Sequence, residues 1–137
     1  MPYHISAIDN GRGMYCRGSG QMLGREVFAA MSKAHAEWRG KLDYILIDLR
    51  EVEAAISTPE ERRAILDLEI ALSRRYPNLV LVGIATTELQ FGLARMWEQM
   101  LEPTKWSVEA TLGAAAAFEA LQAHLAARGL PPAAPIN

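Results

Sequence analysis

Residues 79–101 read LVLVGIATTELQFGLARMWEQML, and this stretch determines the predicted fold. Its first seven residues are almost continuously apolar and rich in branched side chains, which is typical of a strand buried on both faces of a parallel sheet. From Glu88 onward the apolar spacing becomes helical, with Leu89, Leu93 and Trp97 on the face expected to be buried. A buried strand followed by an amphipathic helix is half of a βαβ unit, so the stretch predicts an α/β domain.

The rest of the chain supplies further strands and helices of the lengths that such a domain needs. Asn10-Gly11 is a strong hairpin signal because both residues tolerate a positive φ, so the first two strands should be antiparallel. The glycines of segment 18–20 predict a turn before the first helix, and Thr58 with Glu61 predicts a capping box at the start of the second. The predicted strands are 3–8, 14–17, 42–49, 79–85 and 106–110, and the predicted helices are 22–39, 58–76, 88–101 and 113–128.

These elements predict a single α/β domain over residues 3–129. Its sheet should be mixed but mostly parallel, with five strands, four main helices and an antiparallel hairpin at the N-terminus. Residues 130–137 include the sequence PPAAPIN, which has no apolar periodicity, so we expect a flexible C-terminal tail without packing partners. The length of 137 residues, half of them hydrophobic, suits one domain with a substantial core.

The composition argues against several kinds of partner and location. The net charge is −2, and the Lys and Arg clusters have acidic neighbours, so we expect no nucleic-acid partner. Cys16 is the single cysteine, so an internal disulfide cannot form and the cytoplasm is the expected location. The sequence shows neither a signal-peptide pattern nor an apolar run of about 20 residues, so we expect no secretion and no membrane span.

Residues that could carry chemistry are few and scattered. Asp48 lies at the C-terminal end of the predicted strand 42–49, where open parallel sheets usually bind ligands. The alternative is that Asp48 accepts backbone N–H bonds and organises the next loop. His4, His35 and His124 are far apart and have no neighbours at metal-ligand spacing, and no GxSxG motif occurs. We therefore expect no metal, no cofactor and no catalytic site.

Segments 44–50 (YILIDLR) and 91–97 (FGLARMW), with the order β-β-α-β-α-β-α-β-α, resemble the SpoIIAA-like group of small bacterial proteins, also described as STAS/SEC14-like. The chain is more distantly similar to the STAS domains of anti-sigma-factor antagonists. The resemblance implies the same fold and a non-catalytic regulatory or protein-interaction role. STAS antagonists are phosphorylated on a serine at the start of the second helix, and the resemblance places Ser57 there. Ile56 and Pro59 replace the acidic residue and the glycine of that motif, so helix capping is the alternative role of this segment.

The SEC14-like description makes a second function possible, the binding of a small apolar or lipid-like molecule in a crevice between helices and sheet. Methionine side chains are flexible and adapt to irregular apolar surfaces, so they could line such a crevice or simply fill the core. The methionines in question are Met22, Met31, Met96 and Met100.

Apolar residues on the expected outer faces of two helices predict a partner surface. Phe91 lies about 160° from the centre of the expected buried face of its helix, with Arg95 one turn further along. Leu66 and Ile70 deviate from the apolar stripe of the preceding helix. A right-handed crossover would place that helix beside the one that carries Phe91. Because such a patch recurs on every copy, we expect a homodimer, with another protein as the alternative partner.

Overall fold

Five strands form one mixed sheet in the computed structural model, which describes residues 3–135. The strands are β1 (Tyr3–Ile8), β2 (Gly13–Leu23), β3 (Tyr44–Ile56), β4 (Val80–Ala85) and β5 (Ser107–Leu112). The helices are α1 (Gly24–Glu37), α2 (Pro59–Arg75), α3 (Glu88–Met100) and α4 (Ala114–Ala127). The strands lie side by side in chain order; β1 and β2 are antiparallel, and the other neighbouring pairs are parallel. The predicted architecture is confirmed. None of these helices combines the length and the apolar character that crossing a membrane requires.

Each face of the sheet has its own apolar core, because successive residues of a strand point to opposite faces. Ile45 and Leu81 belong to the core that α1, α2 and α3 cover. Tyr44 and Val80 belong to the core on the other face, together with Leu121 of α4. Helices α1, α2 and α3 connect the parallel strands β2 to β5, and each connection moves one strand further in the same direction. Because such connections have the same handedness, all three helices lie on the same face of the sheet.

Strands β2 and β3 extend beyond the rest of the sheet. Pairing of β3 with β4 ends at Asp48, whereas pairing of β2 with β3 continues to Leu23 and Ile56. The predictions that residues 18–20 form a turn and that the third strand ends at residue 49 are therefore wrong. A Cβ added to Gly18 would lie only 2.8 Å from Val52 Cγ2, so this glycine allows close packing inside β2 rather than ending it.

The hairpin loop between β1 and β2 has four residues, although an Asn-Gly pair typically forms a two-residue turn. Ile8 pairs with Gly13, which leaves residues 9–12 in the loop. Asp9, Asn10 and Gly11 have positive φ values of 55°, 55° and 85°. The Asn-Gly signal thus identified the positive φ values and the antiparallel pair, but it did not give the loop length.

Helix α3 turns a different face to the sheet from the predicted one. Gln90 and Ala94 are buried, whereas 51% of the Leu89 surface is exposed. A Cβ added to Gly83 would lie 3.1 Å from the Cβ of Ala94, so β4 and α3 approach closely where both side chains are small. Phe91 lies about 60° from Ala94 around the helix axis and is half-buried. The prediction that Phe91 lies opposite the buried face is therefore wrong.

The Gln90 side chain fixes this orientation of α3 through hydrogen bonds to the main chain. Its oxygen accepts from the backbone nitrogens of Thr86 and Thr87 at 2.8 and 3.2 Å. Its nitrogen donates to the carbonyl oxygens of Arg50 and Val52, both at 3.0 Å. These bonds join the start of α3 to the extended part of β3, and they satisfy backbone groups that would otherwise be costly to bury.

The C-terminal segment that was predicted to be a flexible tail packs against the hairpin loop and α4. Arg12 donates to the carbonyl oxygens of Pro131 and Pro132 at 2.7 and 2.8 Å. Gln122 exchanges two hydrogen bonds with the backbone of Ala133, which is buried. The expectation that the segment lacks packing partners is therefore wrong for residues 130–135, because its partners come from distant parts of the chain. The last two residues of the predicted tail, 136 and 137, lie outside the described residues.

Candidate ligand-binding cavity

A cavity of about 200 Å³ lies between the sheet and the three helices on one of its faces. Helix α2 packs mainly on α1, and α3 packs on β4 and β5, so a space remains between α2 and α3. All five strands and helices α1 to α3 contribute residues to its wall. The aliphatic, methionine and tryptophan side chains of the wall are Met22, Val27, Met31, Ile47, Leu49, Ala55, Ile56, Ile65, Leu81, Leu93, Ala94, Met96, Trp97, Leu101 and Val108. Ile56 is 52% exposed, so the cavity reaches the surface at the end of β3.

Glu69 of α2 is a buried carboxyl group in this largely apolar wall. Its exposed fraction is 5%, and its Oε2 atom has no hydrogen-bond partner among residues 3–135. Burial raises the pKa of the Glu69 carboxyl from 4.5 to about 8, because the charged form loses its hydration and gains no compensating partner. Glu69 is therefore a protonated carboxylic acid near neutral pH.

Glu69 is not among the site residues predicted from the sequence, although the helical spacing contains the signal. Glu69 lies four residues after Ile65 and three before Leu72, and both of these are buried. A position with that spacing belongs to the inner stripe of the helix. A carboxylate on an apolar stripe is a candidate functional group, since natural cores seldom bury one without a partner.

Two further titratable groups lie close to Glu69 on the sheet. Burial raises the pKa of the Tyr3 hydroxyl well above its ordinary value, and the nearby Cys16 adds to that increase. Burial also raises the pKa of the Cys16 thiol to about 12. Both groups are neutral near pH 7. A thiol that stays protonated is a poor nucleophile, so this cluster does not supply a reactive cysteine.

The other polar side chains of the cavity wall already have partners. Arg62 donates through one nitrogen to the Ser57 carbonyl oxygen at 2.9 Å and to the Ser57 hydroxyl at 3.0 Å. Glu109 lies 2.7 Å from His124 of α4. In contrast, Glu69 lines the apolar space, and its buried Oε2 atom has no hydrogen-bond partner among residues 3–135.

The methionines predicted to line a crevice are partly brought together. Met22, Met31 and Met96 line the cavity, whereas Met100 is not among its lining residues. Met31 is buried and the other two are half-buried. The three lining side chains come from β2, α1 and α3, so flexible thioethers border the space from three directions.

Ser57, the predicted phosphorylation position, lies at the rim of the cavity just before α2. Thr58 caps the helix: its hydroxyl accepts from Glu61 N at 3.1 Å, and the Glu61 carboxylate accepts from Thr58 N at 2.8 Å. The predicted capping box is confirmed. Ser57 is half-buried and its hydroxyl accepts from Arg62. Phosphorylation of Ser57 stays a prediction.

Asp48 lies in the middle of β3, on the opposite face of the sheet from the cavity. Its carboxylate accepts from the Tyr15 hydroxyl at 2.5 Å and from the Arg50 guanidinium at 2.8 and 3.0 Å. It also accepts from the backbone nitrogen of Arg50 at 3.1 Å. Burial alone would raise the pKa of Asp48, but the hydrogen bonds from Arg50 and Tyr15 outweigh it and lower the pKa. With both oxygens occupied, Asp48 organises the strand and offers no free ligand atom within the described structure.

The residues predicted to form a dimer surface are not assembled as expected. Leu66, Ile70 and Phe91 are half-buried, and Leu66 packs against the core beneath α1 and α2. Arg95 forms an ion pair with Glu98 at 3.1 Å on its own helix. The prediction required α2 and α3 to lie side by side, but α2 packs mainly on α1. Self-association itself stays a prediction.

Among residues 3–135, no group of three or more His, Cys, Asp or Glu side chains is arranged to hold a metal ion. The geometry that remains is an apolar space with one neutral acid in its wall. Such a site can enclose a small molecule and orient it through one hydrogen-bonding group.

Comparison with solved structures identifies the architecture around this cavity. A crystal structure of an uncharacterized protein of the DUF3478 family from Shewanella loihica PV-4, described as having a SpoIIAA-like fold, aligns with a TM-score of 0.53. The alignment covers 87% of this chain and 91% of that one, at 15% sequence identity. This chain has a SpoIIAA-like fold. The resemblance inferred from its sequence is confirmed at that level.

The likeness to the Shewanella protein concerns the SpoIIAA-like fold alone, because 15% identity does not carry individual residues from one chain to the other. No family model matches this sequence, and no curated protein matches it. The role of the cavity in this SpoIIAA-like domain therefore has to be argued from its own residues.

Proposed function

We propose that this SpoIIAA-like domain is a non-catalytic binder of a small, mostly apolar molecule in the cavity between α2, α3 and the sheet. The observation that carries the proposal is the space of about 200 Å³ with the unpaired Glu69 carboxyl in its wall. An apolar cavity of about 150 Å³ already accommodates benzene in another protein, so a molecule with one ring fits this size class.

The cavity is costly for the unliganded protein. Because the cavity reaches the surface at Ile56, its apolar wall is in contact with water in the unliganded protein, which is unfavourable compared with covering that wall by a ligand. The buried Glu69 carboxyl adds a desolvation cost that Oε2 does not recover through any described hydrogen bond. A ligand that fills the space and pairs with Glu69 offsets both costs, which supports binding as the purpose of this arrangement.

Toluene is a suitable first probe because it tests the apolar space without requiring a polar contact. Isothermal titration calorimetry and the thermal midpoint of the full chain should show saturable binding and a stability that increases with toluene concentration. The absence of both effects would contradict the proposed function. Native mass spectrometry of protein purified from its own host would then identify a retained molecule by its mass.

Two substitutions on α3 form a matched pair for locating the site. Leu93 lines the cavity, whereas Leu89 is exposed and does not line it. Leu93→Trp should fill the space and abolish toluene binding, while Leu89→Trp should leave binding unchanged. Equal binding by the two variants would place toluene elsewhere on the molecule.

A second candidate function is a protein-interaction domain that self-associates or binds another protein. It is favoured by the exposed apolar side chain of Leu89 in the first turn of α3. Leu112 at the end of β5 is a second exposed apolar side chain, and contiguous apolar patches mark partner surfaces.

Analytical ultracentrifugation over a series of concentrations tests the homodimer. If α3 forms the contact, the wild type should sediment as a dimer, and both Leu89→Glu and Phe91→Glu should shift it to the monomer. A wild type that remains monomeric throughout the series would contradict self-association.

A further inference from the structure

We propose that Glu69 recognises an uncharged polar group of the ligand, an alcohol or a carboxamide, that both donates and accepts a hydrogen bond. This inference rests on the proposed ligand-binding function and adds the chemistry of the ligand's polar end. Its basis is the position of Glu69: it is buried, it lines the cavity, and its Oε2 atom is unpaired in the described structure.

The surroundings of Glu69 leave its carboxyl group uncharged near neutral pH. Tyr3 of β1 and Cys16 of β2 are the titratable groups of the sheet whose pKa values respond to Glu69, and both are neutral near pH 7. Arg62 on α2 and Glu109 on β5 are the other ionisable wall residues, while α1 and α3 contribute only glycine and apolar side chains to the wall. Arg62 precedes Glu69 by two helical turns, about 10 Å along the axis. Burial therefore controls the protonation of Glu69, whose pKa is raised to about 8.

A protonated carboxyl group offers one O–H donor and one carbonyl acceptor side by side. An alcohol has an O–H donor and an acceptor oxygen, and a primary carboxamide has an N–H donor beside its carbonyl acceptor, so either can pair with Glu69 without placing a charge in the cavity. A hydrocarbon would fill the space but leave the acid unpaired, which retains the desolvation cost.

A charged polar end fits this wall less well. An ammonium group brings three N–H donors, and of the other oxygen-bearing side chains that line the cavity, Ser57 already pairs with Arg62 and Glu109 with His124. A buried ion pair stabilises a complex only when its remaining donors are also satisfied. A carboxylate would place a negative charge beside an acid in an apolar wall, and the Arg62 guanidinium at the rim already donates to Ser57.

The test compares five molecules of similar size: toluene, benzyl alcohol, benzamide, benzylamine and benzoate. Affinities of the full chain are measured by calorimetry at about pH 6 and about pH 9, on either side of the Glu69 titration. At about pH 6, benzyl alcohol and benzamide should bind about tenfold more tightly than toluene, the value of one good hydrogen bond. At about pH 9 this advantage should decrease, because ionised Glu69 has lost its donor.

Two variants separate recognition by Glu69 from its effect on folding. Glu69→Gln keeps a donor and an acceptor at the same place, so it should retain the preference for benzyl alcohol and benzamide and lose its pH dependence. Glu69→Leu keeps the volume but removes both groups, so it should bind toluene at least as well as benzyl alcohol. Circular dichroism confirms that each variant is folded before its affinities are measured.

The possible results distinguish this inference from the proposed function. Equal affinity of the wild type for toluene and benzyl alcohol would overturn the role of Glu69 while leaving the apolar binding site intact. Tightest binding of benzylamine would show that Glu69 recognises a cation, and tightest binding of benzoate would assign recognition to Arg62; either result overturns the inference. Binding of none of the five molecules would overturn the inference and the proposed function together.

Discussion

Replacing Glu69 by Gln should remove a loss of stability that the wild type suffers as the pH rises. The native carboxyl has a pKa of about 8, against an ordinary value of 4.5, because it is buried. Between these values the native state binds more protons than the unfolded state, so the free energy of unfolding falls with increasing pH. The full stability is present below about pH 4.5 and is lost as the pH passes through about 8.

The magnitude follows from the same two pKa values. At about 1.4 kcal/mol per pH unit, the interval from 4.5 to about 8 corresponds to about 5 kcal/mol. A typical domain has a free energy of unfolding of about 5–15 kcal/mol, so the effect is a large share of the total. Near pH 5 the Glu69→Gln variant and the wild type should have similar stability, and near pH 9 the variant should be more stable by several kcal/mol, up to about 5.

Urea unfolding followed by tryptophan fluorescence measures this difference, since the chain has three tryptophans. Asp67→Asn is the control, because Asp67 is an acid on the same helix whose side chain is 65% exposed. That variant should follow the pH dependence of the wild type. If the curves of the wild type and of Glu69→Gln run parallel from about pH 5 to about pH 9, the native carboxyl is not held in its protonated form and the reasoning is refuted.

Three further predictions concern residues outside the cavity. Arg12→Ala should lower the free energy of unfolding in urea by about 2–3 kcal/mol, because it removes two hydrogen bonds to the C-terminal segment. The control Arg17→Ala breaks an exposed ion pair and should cost less than about 1 kcal/mol. Gln90→Ala should lower the free energy of unfolding by about 2–4 kcal/mol, because it leaves buried backbone groups unpaired. Gln99→Ala, on the exposed side of the same helix, should have little effect, and equal losses in the two variants would contradict the anchoring role of Gln90. His35 should titrate at about pH 4 by NMR, because burial lowers its pKa from 6.5. The stability of the wild type relative to His35→Gln should therefore decrease as the pH falls from about 6.5 to about 4, and an NMR titration near 6.5 would contradict this.

The strands and helices of the fold could be predicted from the sequence because buried elements have characteristic local patterns of apolar and capping residues. The seven apolar residues from Leu79 to Ala85 contain the buried strand β4, which begins one residue later, at Val80. The capping box at Thr58 marks the start of α2. Both signals lie within a few consecutive residues. A pattern of this kind needs no knowledge of the neighbouring strands or helices.

Predictions that depended on tertiary partners were less successful. The phase of α3 was assigned from the positions of its large apolar residues, but it is determined by Gln90 bonding to β3 and by Ala94 packing on Gly83. The length of β2 and β3 depends on their mutual pairing, which resumes at Ser19 and Glu51 after a register shift at Gly18, where the local pattern predicted a turn. At the candidate site, the sequence shows that Glu69 lies on the inner stripe of its helix. The cavity between α2 and α3 that Glu69 lines depends on how the helices pack, which the sequence pattern does not show.

The contacts of Arg12 also affect the order in which the chain can complete its structure. Its hydrogen bonds to Pro131 and Pro132 join residues 119 and 120 positions apart in the sequence. During synthesis, the hairpin loop that carries Arg12 leaves the ribosome long before these prolines are made. The loop must therefore remain without these bonds until the C-terminal segment emerges, and the contact can form only after translation has passed residue 132. A chain that stalls before residue 131 cannot form either of these bonds.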